Sequence, residues 1–460
     1  MTKRYLTIPA VVAGALGLCG SASLAAEPQS ASQPTTAELM KQIESLQAKV
    51  QQMENNQQSV TNKAVDDTVE RVLRDADRRS QMLQMEGFTA GWNNGRFTLM
   101  SADGNFSIMP YLQMQFRNTT NFDTGGEDDN TENGFSLPRV KLGFDGNLFS
   151  KNIWYYFRWN SGDSDGGGSG ALNLEQAWIK DMFADQWGVR VGQFVDPVFK
   201  EQLVSSDRQL AADRSMMNTI LTGADESYTQ GVTLIWVPDP HVNVEFGFTD
   251  GINSGNTSFR DFPTGPANFG FAGRAEFALF GSTDATKDFS AMGNKDDALV
   301  IGVGADWTQS GDTNNVLHTI DAQWEAMDGR LGLYAAYVGQ FIQNGGGSGI
   351  TGVTGGDDDS YNYGILLQAG YMMNEEWELF GRYDYTKTAD PIAIGGTGET
   401  EDAFHEATVG VNYYLHGHNA KFTLDASWLF NGAPTGLTNL GILNSDDNEF
   451  VIRAQFQLML

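Results

Sequence analysis

Between Asp196 and Gln230 the chain carries Lys200, Arg208 and Arg214, each with an acid beside it in Glu201, Asp207 and Asp213. A guanidinium offers a phosphate-like anion a planar bidentate fork, and an ammonium offers it a point charge. Three such cations on one segment can replace hydration water around a passing anion. The same residues can instead pair with the neighbouring acids and brace the segment. Residue types alone leave both readings open.

A second set of charges sits within alternating stretches. Arg139 and Lys141 alternate with Val140, Leu142 and Phe144, so the apolar and charged sets face opposite sides of an extended strand. The same parity places Arg158, Arg190, Arg274, Arg382, Lys421 and Arg453 on the polar face, where a pore lumen would lie. Acids of that parity, among them Glu245, Glu276, Asp321, Asp384, Glu406 and Asp425, are at least as numerous.

Little else in the chain could do chemistry. Cys19 is the only cysteine and the five histidines are scattered, with His416 and His418 in one tight turn. Neither pattern has zinc-ligand spacing. The run DSDGGGSG from Asp163 and the triplet from Asp357 lack the spaced ligands of a full calcium loop. No nucleophile, base and orienting group come together in a motif. The expectation is therefore no enzyme, no cofactor and no metal. A net charge of -29, from 29 basic and 58 acidic residues, excludes nucleic acid as a partner, because phosphate binding relies on cations that release counterions.

The elements that must position these charges follow from patterning. Lys3 and Arg4 precede an apolar run from Leu6 to Leu18, and Ser23-Leu24-Ala25 supplies a small-x-small site, so residues 1–26 read as a signal peptide. Leu18 before Cys19 does not suit a lipid-attachment box. The exported chain then contains no thiol. From 36 to 85 the sequence is polar and almost free of Gly and Pro, and Leu39, Ile43, Leu46, Val50 and Met53 recur at spacings of four and three. That is the seam of a short coiled coil, expected as a stalk, with a looser second helix near Asp66 to Gln84.

From Gly95 to Leu460 the period is two. Val242, Val244, Phe246 and Phe248 alternate with polar or small residues, as do Leu299, Ile301, Val303, Ala305 and Trp307. About sixteen such segments can be placed, each near the 9 to 11 residues of a tilted membrane strand, with aromatics toward the ends. Tight connections such as VPDPH, MDGR and HGHN alternate with long acidic Gly/Asn/Asp loops. This predicts an all-β transmembrane barrel of about sixteen antiparallel strands over residues 95–460. Gly281 to Asp297 is long where a short turn is due, so either the strand count is off by two or one turn is extended.

SADGNFSIMPYLQMQFR (Ser101–Arg117), FSLPRVKLGFDGNLF (Phe135–Phe149), VRVGQFVDPVFKEQLVSSDRQLAADRS (Val189–Ser215) and VGVNYYLHGHNAKFTLDASW (Val409–Trp428) resemble the phosphate-selective porin family, porins O and P. The resemblance implies a sixteen-stranded homotrimer in the outer membrane, with the coiled coil on the periplasmic side. It also implies that the segment after Phe194 folds inward, making Lys200, Arg208 and Arg214 constriction residues that bind anions such as phosphate. Two departures stand out. The dense Arg and Lys ladders of the family's selective members are not found here, and the chain ends in Leu460 rather than an aromatic residue.

Two function classes follow. One is a passive diffusion channel for small hydrophilic solutes, either anion-preferring or general and weakly cation-preferring. The other is a structural barrel tethering envelope layers through its stalk. The expected surroundings are outer-membrane lipid and lipopolysaccharide, with external acids open to bridging by divalent cations.

Overall fold

The computed structural model describes helical residues between 37 and 52 and at 70–72. It then describes residues 84–85, 88–93, 96–123, 130–162, 171–258, 269–293, 296–344, 359–394, 399–434, 437, 442 and 448–460. The chain divides into one unit over Met1–Gln81 and a second over Met82–Leu460. The signal-peptide reading, Cys19, Leu39 and Met53 lie outside the described residues. In the first unit, Ile43, Leu46 and Val50 are helical and exposed.

The second unit opens with a small antiparallel sheet of β1 (Gln84–Met85), β2 (Phe88–Asn93) and β3 (Arg96–Ser101). Extended chain thus begins at Gln84, ahead of the expected stalk boundary. β3 joins β4 (Ser107–Asp123) through Leu99 and Ile108. Then follow β5 (Asn130–Asn147), β6 (Ile153–Asn160), β7 (Asn173–Asp181) and β8 (Trp187–Val195). After the longest connection come β9 (Tyr228–Asp239), β10 (Val242–Thr249), β11 (Phe269–Phe280) and β12 (Ala298–Ser310). The wall finishes with β13 (Thr313–Ala326), β14 (Leu331–Gln343), β15 (Ser360–Met372), β16 (Trp377–Ala393), β17 (Thr400–Tyr414), β18 (Ala420–Leu429) and β19 (Glu449–Met459).

Each of β4 to β19 pairs antiparallel with the next, and β19 returns to β4 with Glu449 opposite Asp123 and Met459 opposite Gln113. The barrel therefore closes at sixteen strands, and closure leaves no unpaired edge to face hydrocarbon. No helix among the described residues is long and apolar enough to cross a membrane.

The period of two sorts side chains between two media. Leu367, Leu379 and Val409 are about half exposed on the outer face, whereas Gln368, Arg382 and Thr408 on the same strands are buried within. Aromatic rings band the outer ends of the strands. At one end Phe248, Phe269, Phe271 and Trp307 form one contact chain, and His318, Tyr361 and Tyr363 form another. At the end that carries the chain terminus, Trp187 stacks on Trp236 and Trp377 packs on Tyr413. The Trp and Tyr rings among them suit a hydrocarbon boundary because each pairs an apolar body with a polar tip.

The extended-turn alternative for Gly281–Asp297 holds, since β11 pairs directly with β12 and no strand intervenes. At the far end, one expected long loop shrinks to Gly311-Asp312 between β12 and β13.

Candidate functional site

The connection between β8 and β9 folds into the barrel. It contains α1 (Lys200–Leu203), a 3-10 turn at Ser206–Arg208 and α2 (Met216–Thr222). Val198, Phe199, Leu210, Met216, Met217, Ile220 and Leu221 form an apolar cluster with wall residues Leu317, Tyr334, Leu366, Phe380 and Phe404. This is a core built inside a barrel whose outside is also apolar. Two wall glycines allow the close approach. A Cβ on Gly304 would stand 2.3 Å from the Val198 carbonyl oxygen, and one on Gly364 would stand 2.4 Å from Met217 Cγ. Any side chain there would lift the segment off the wall.

The wall cations hold this segment by its backbone. Lys421 Nζ donates to the carbonyls of Asp207 and Gln209 at 3.2 and 2.9 Å, Arg382 to that of Asp213 at 2.7 Å, and Arg274 to that of Val198 at 3.0 Å. Wall acids take the matching donors. The Ala212 amide donates to Asp425 at 2.8 Å, and the first two amides of α2, Met216 and Met217, donate to Glu406 and Asp384. Those amides lack intrahelical partners, so two wall carboxylates satisfy them. Ser215 caps α2 by accepting from the Asn218 amide, and Glu201 fixes Ser215 through its amide and hydroxyl, each at 2.7 Å.

Asp213 is the hub of the charged contacts. Its carboxylate accepts both outer nitrogens of Arg117 at 2.6 and 2.8 Å, with Arg139 at 3.3 Å and Arg453 at 3.5 Å. Arg453 also pairs with Asp425 at 2.7 Å, and Arg139 with Asp225 at 2.8 Å. Arg117 is absent from the sequence-predicted set, although it lies on β4 at the same inward parity as the buried Gln113 and Gln115. Burial alone would raise the Asp213 carboxyl, but Arg117, Arg139 and Arg453 outweigh it and hold the group below the usual range.

The three loop cations have different fates. Arg214 has no exposed side-chain surface; it donates to Asp225 at 3.0 Å, to Glu226 at 2.6 Å and to the carbonyls of Glu201 and Val204. Lys200 is buried against Glu276 at 3.0 Å, and burial lowers its pKa. Arg208 keeps 45% of its side chain exposed, with only long contacts of 3.6 Å to Asp207 and 3.3 Å to Asp288. Bracing is thus the geometry of Arg214, and access to solvent is the geometry of Arg208. Burial pushes the Glu226 carboxyl up, but Lys141 and Arg214 beside it prevail and hold it at about 2.

Of the remaining wall cations, Arg190 and Lys141 each line a cavity, and Arg158 is buried. Arg190 pairs with Glu245 at 2.5 Å and lies 4.0 Å from the Phe194 ring centre. Arg158 lies over Tyr111 at 3.3 Å, and Lys141 reaches Glu175 at 2.9 Å. Two cavities flank the segment. One of about 390 Å³ lies beside Lys141, Glu175 and Glu226. The other, of about 460 Å³, is bordered by Arg190, Lys200, Arg208, Arg274 and Lys287, with Glu245, Glu276 and Asp284 as its acids. Five cations therefore face three carboxylates there, although the whole chain is strongly acidic. Lys287 pairs with Asp284, Arg190 with Glu245, Lys200 with Glu276 and Arg274 with Asp321, while Arg208 has its longer contacts with Asp207 and Asp288 and keeps the most exposed side chain of the inner segment's three cations.

A family model for phosphate-selective porin O and P matches residues 112–458. Among solved structures, an anion-selective porin from Comamonas acidovorans is similar at 11% identity with a TM-score of 0.52, over 77% of this chain and 99% of that one. OprB of Pseudomonas putida, in its high-pH structure, is similar at 11% identity with a TM-score of 0.51, over 76% and 94% of the two chains. These two likenesses concern the fold. No curated protein sequence gives a significant match.

Proposed function

The chain belongs to the phosphate-selective porin O and P family, and from that premise we propose that this outer-membrane porin passes small hydrophilic solutes by passive diffusion with a modest preference for anions such as phosphate. The observation that carries the reading is the gathering of five cations around the larger cavity, with Arg208 loosely paired and 45% exposed on the inner segment. In a narrow opening a fixed charge is screened less than on an open surface, so local charge outweighs a distant acidic exterior. Lys200, buried and paired with Glu276, braces the same cavity wall. Arg214 and most wall cations act one step back, by fixing where the segment lies.

The test is a planar-bilayer recording in a salt gradient. The wild type is expected to give a reversal potential on the anion side, and Arg208→Ala to move it toward cations. A cation-preferring wild type that Arg208→Ala leaves unmoved would favour the second reading, a general and weakly cation-preferring porin. Buried wall acids such as Asp306 and Glu378, which form no ion pair with a cation among the described residues, are what favours that alternative. A purely structural tether is disfavoured by water-accessible cavities within the barrel.

The helical unit is read as a periplasmic stalk joining three copies. Ile43, Leu46 and Val50 leave an apolar stripe exposed, which a coiled-coil partner would cover. The barrel, by contrast, satisfies its own strands within one chain.

A further inference from the structure

Residues Gly281–Gly293 of the β11–β12 connection are not a slack turn. After a 3-10 turn at Thr283–Thr286, its Phe289 is buried against Tyr334 on β14 with ring centres 4.8 Å apart, and Ser290 and Ala291 are buried beside it. Gln323 on β13 donates to the Asp288 carbonyl. The connection therefore turns inward at the barrel end that carries the terminus, and meets the inner segment there. Thr283, Asp284 and Lys287 border the same cavity as Lys200 and Arg208.

Asp288 is the joint. Its Oδ2 lies 2.7 Å from His418 Nε2 on the β17–β18 turn and 3.3 Å from Arg208 Nη1 on the inner segment. Its Oδ1 accepts the Ser290 amide at 2.8 Å, which fixes the carboxylate from its own side. Three separate connections thus converge on one carboxylate.

We propose that Gly281–Gly293 is a second constriction element, and that Asp288 is a positioning residue that sets both the direction of Arg208 and how much of its charge the lumen feels. The inference rests on the reading of Arg208 as a lumen cation. An uncompensated Arg208 presents a full charge to a passing ion, whereas Arg208 beside Asp288 presents a reduced one. Removing one charge about 7 Å from the ion path, in water and at ordinary salt, changes an anion-to-cation permeability ratio roughly two- to threefold.

Four proteins recorded in bilayers test this: wild type, Arg208→Ala, Asp288→Asn and Asp288→Glu. Asp288→Asn is expected to raise the anion-to-cation permeability ratio by roughly two- to threefold, and Asp288→Glu to restore the wild-type value. A variant with residues 283–293 replaced by a two-residue turn, such as the Pro240-His241 turn between β9 and β10, should conduct more than wild type. It also covers the case in which Asp288→Asn does not fold. If Arg208→Ala shifts selectivity while Asp288→Asn and the shortened variant match wild type, the second constriction is refuted and the channel reading stands. If the folded wild type conducts nothing, both readings fall together.

Discussion

Replacing Asp213 by Asn keeps the shape of the hub and deletes its charge. Arg453 retains Asp425 and Arg139 retains Asp225, but Arg117 is left with the Gln455 side-chain oxygen and the Ala212 carbonyl. Its side chain is only 2% exposed, so water cannot take the place of the lost acid. Breaking a buried pair from one side costs about 3 to 5 kcal/mol. At about 1.4 kcal/mol per decade, that moves the balance between docked and released segment by roughly two to three and a half orders of magnitude. The release should be confined to the neighbourhood of residues 210–214, because Glu201, Lys421 and the Arg214 contacts still hold the flanks. Single-channel recording should show larger and noisier currents, and limited proteolysis should cut near the hub. Adding Arg117→Gln removes the stranded charge, and the paired loss should cost about 1 kcal/mol or less. Wild-type currents from Asp213→Asn, or a double variant no better than the single one, would refute the argument.

Glu226 gives a pH prediction. Its pKa is held at about 2 by Lys141 and Arg214 against burial, so it stabilises the fold above the ordinary carboxylate range, and that contribution is lost as pH falls through about 2. Glu226→Gln should therefore cost roughly 3 kcal/mol at pH 7, and denaturant unfolding should show the gap closing as pH approaches about 2. Leu367→Arg places a charge on the outer face of β15 and should cost about 2 to 4 kcal/mol of barrel stability, read as unfolding at lower denaturant, whereas a lumen-facing Gln368→Arg should not follow that depth rule. Deleting residues 36–81 should leave an inserting, conducting barrel whose oligomer dissociates at lower temperature on gels run without boiling. An unchanged melting temperature would remove the stalk's assigned role.

Legibility in the sequence followed the range of the interaction. The strands were readable because a barrel strand repeats a two-residue rule along itself, and runs such as Val242–Thr249 carry the rule without interruption. The inward course of Asp196–Ser227 came only through resemblance, although Gly304 and Gly364 at inward parity carry a faint signal of close approach. The partners of the charges were not readable. Arg117 meets Asp213 across 96 residues and Lys421 meets the Asp207 carbonyl across 214, and no spacing rule spans such distances. For the same reason the sequence left Arg208 and Arg214 equivalent. Their difference depends on which acids the folded segment brings beside each one. The long Gly281–Asp297 connection was visible as an anomaly, and its purpose emerged only when Asp288 fell between His418 and Arg208.

Beside the side-chain hub at Asp213, the wall grips the inner segment through peptide groups at Val198, Asp207, Gln209, Ala212 and Asp213. A peptide group is common to every residue that can adopt the local backbone, so such a grip is blind to the side chain it carries. Path and permeation are thus written on different atoms of the same segment. Leu203, Ser205 and Arg208, which border the larger cavity, can change identity without erasing the instructions that lay the segment across the lumen. A lineage, or an engineer, can retune what passes through the channel at those positions while the barrel continues to fold around an unchanged course.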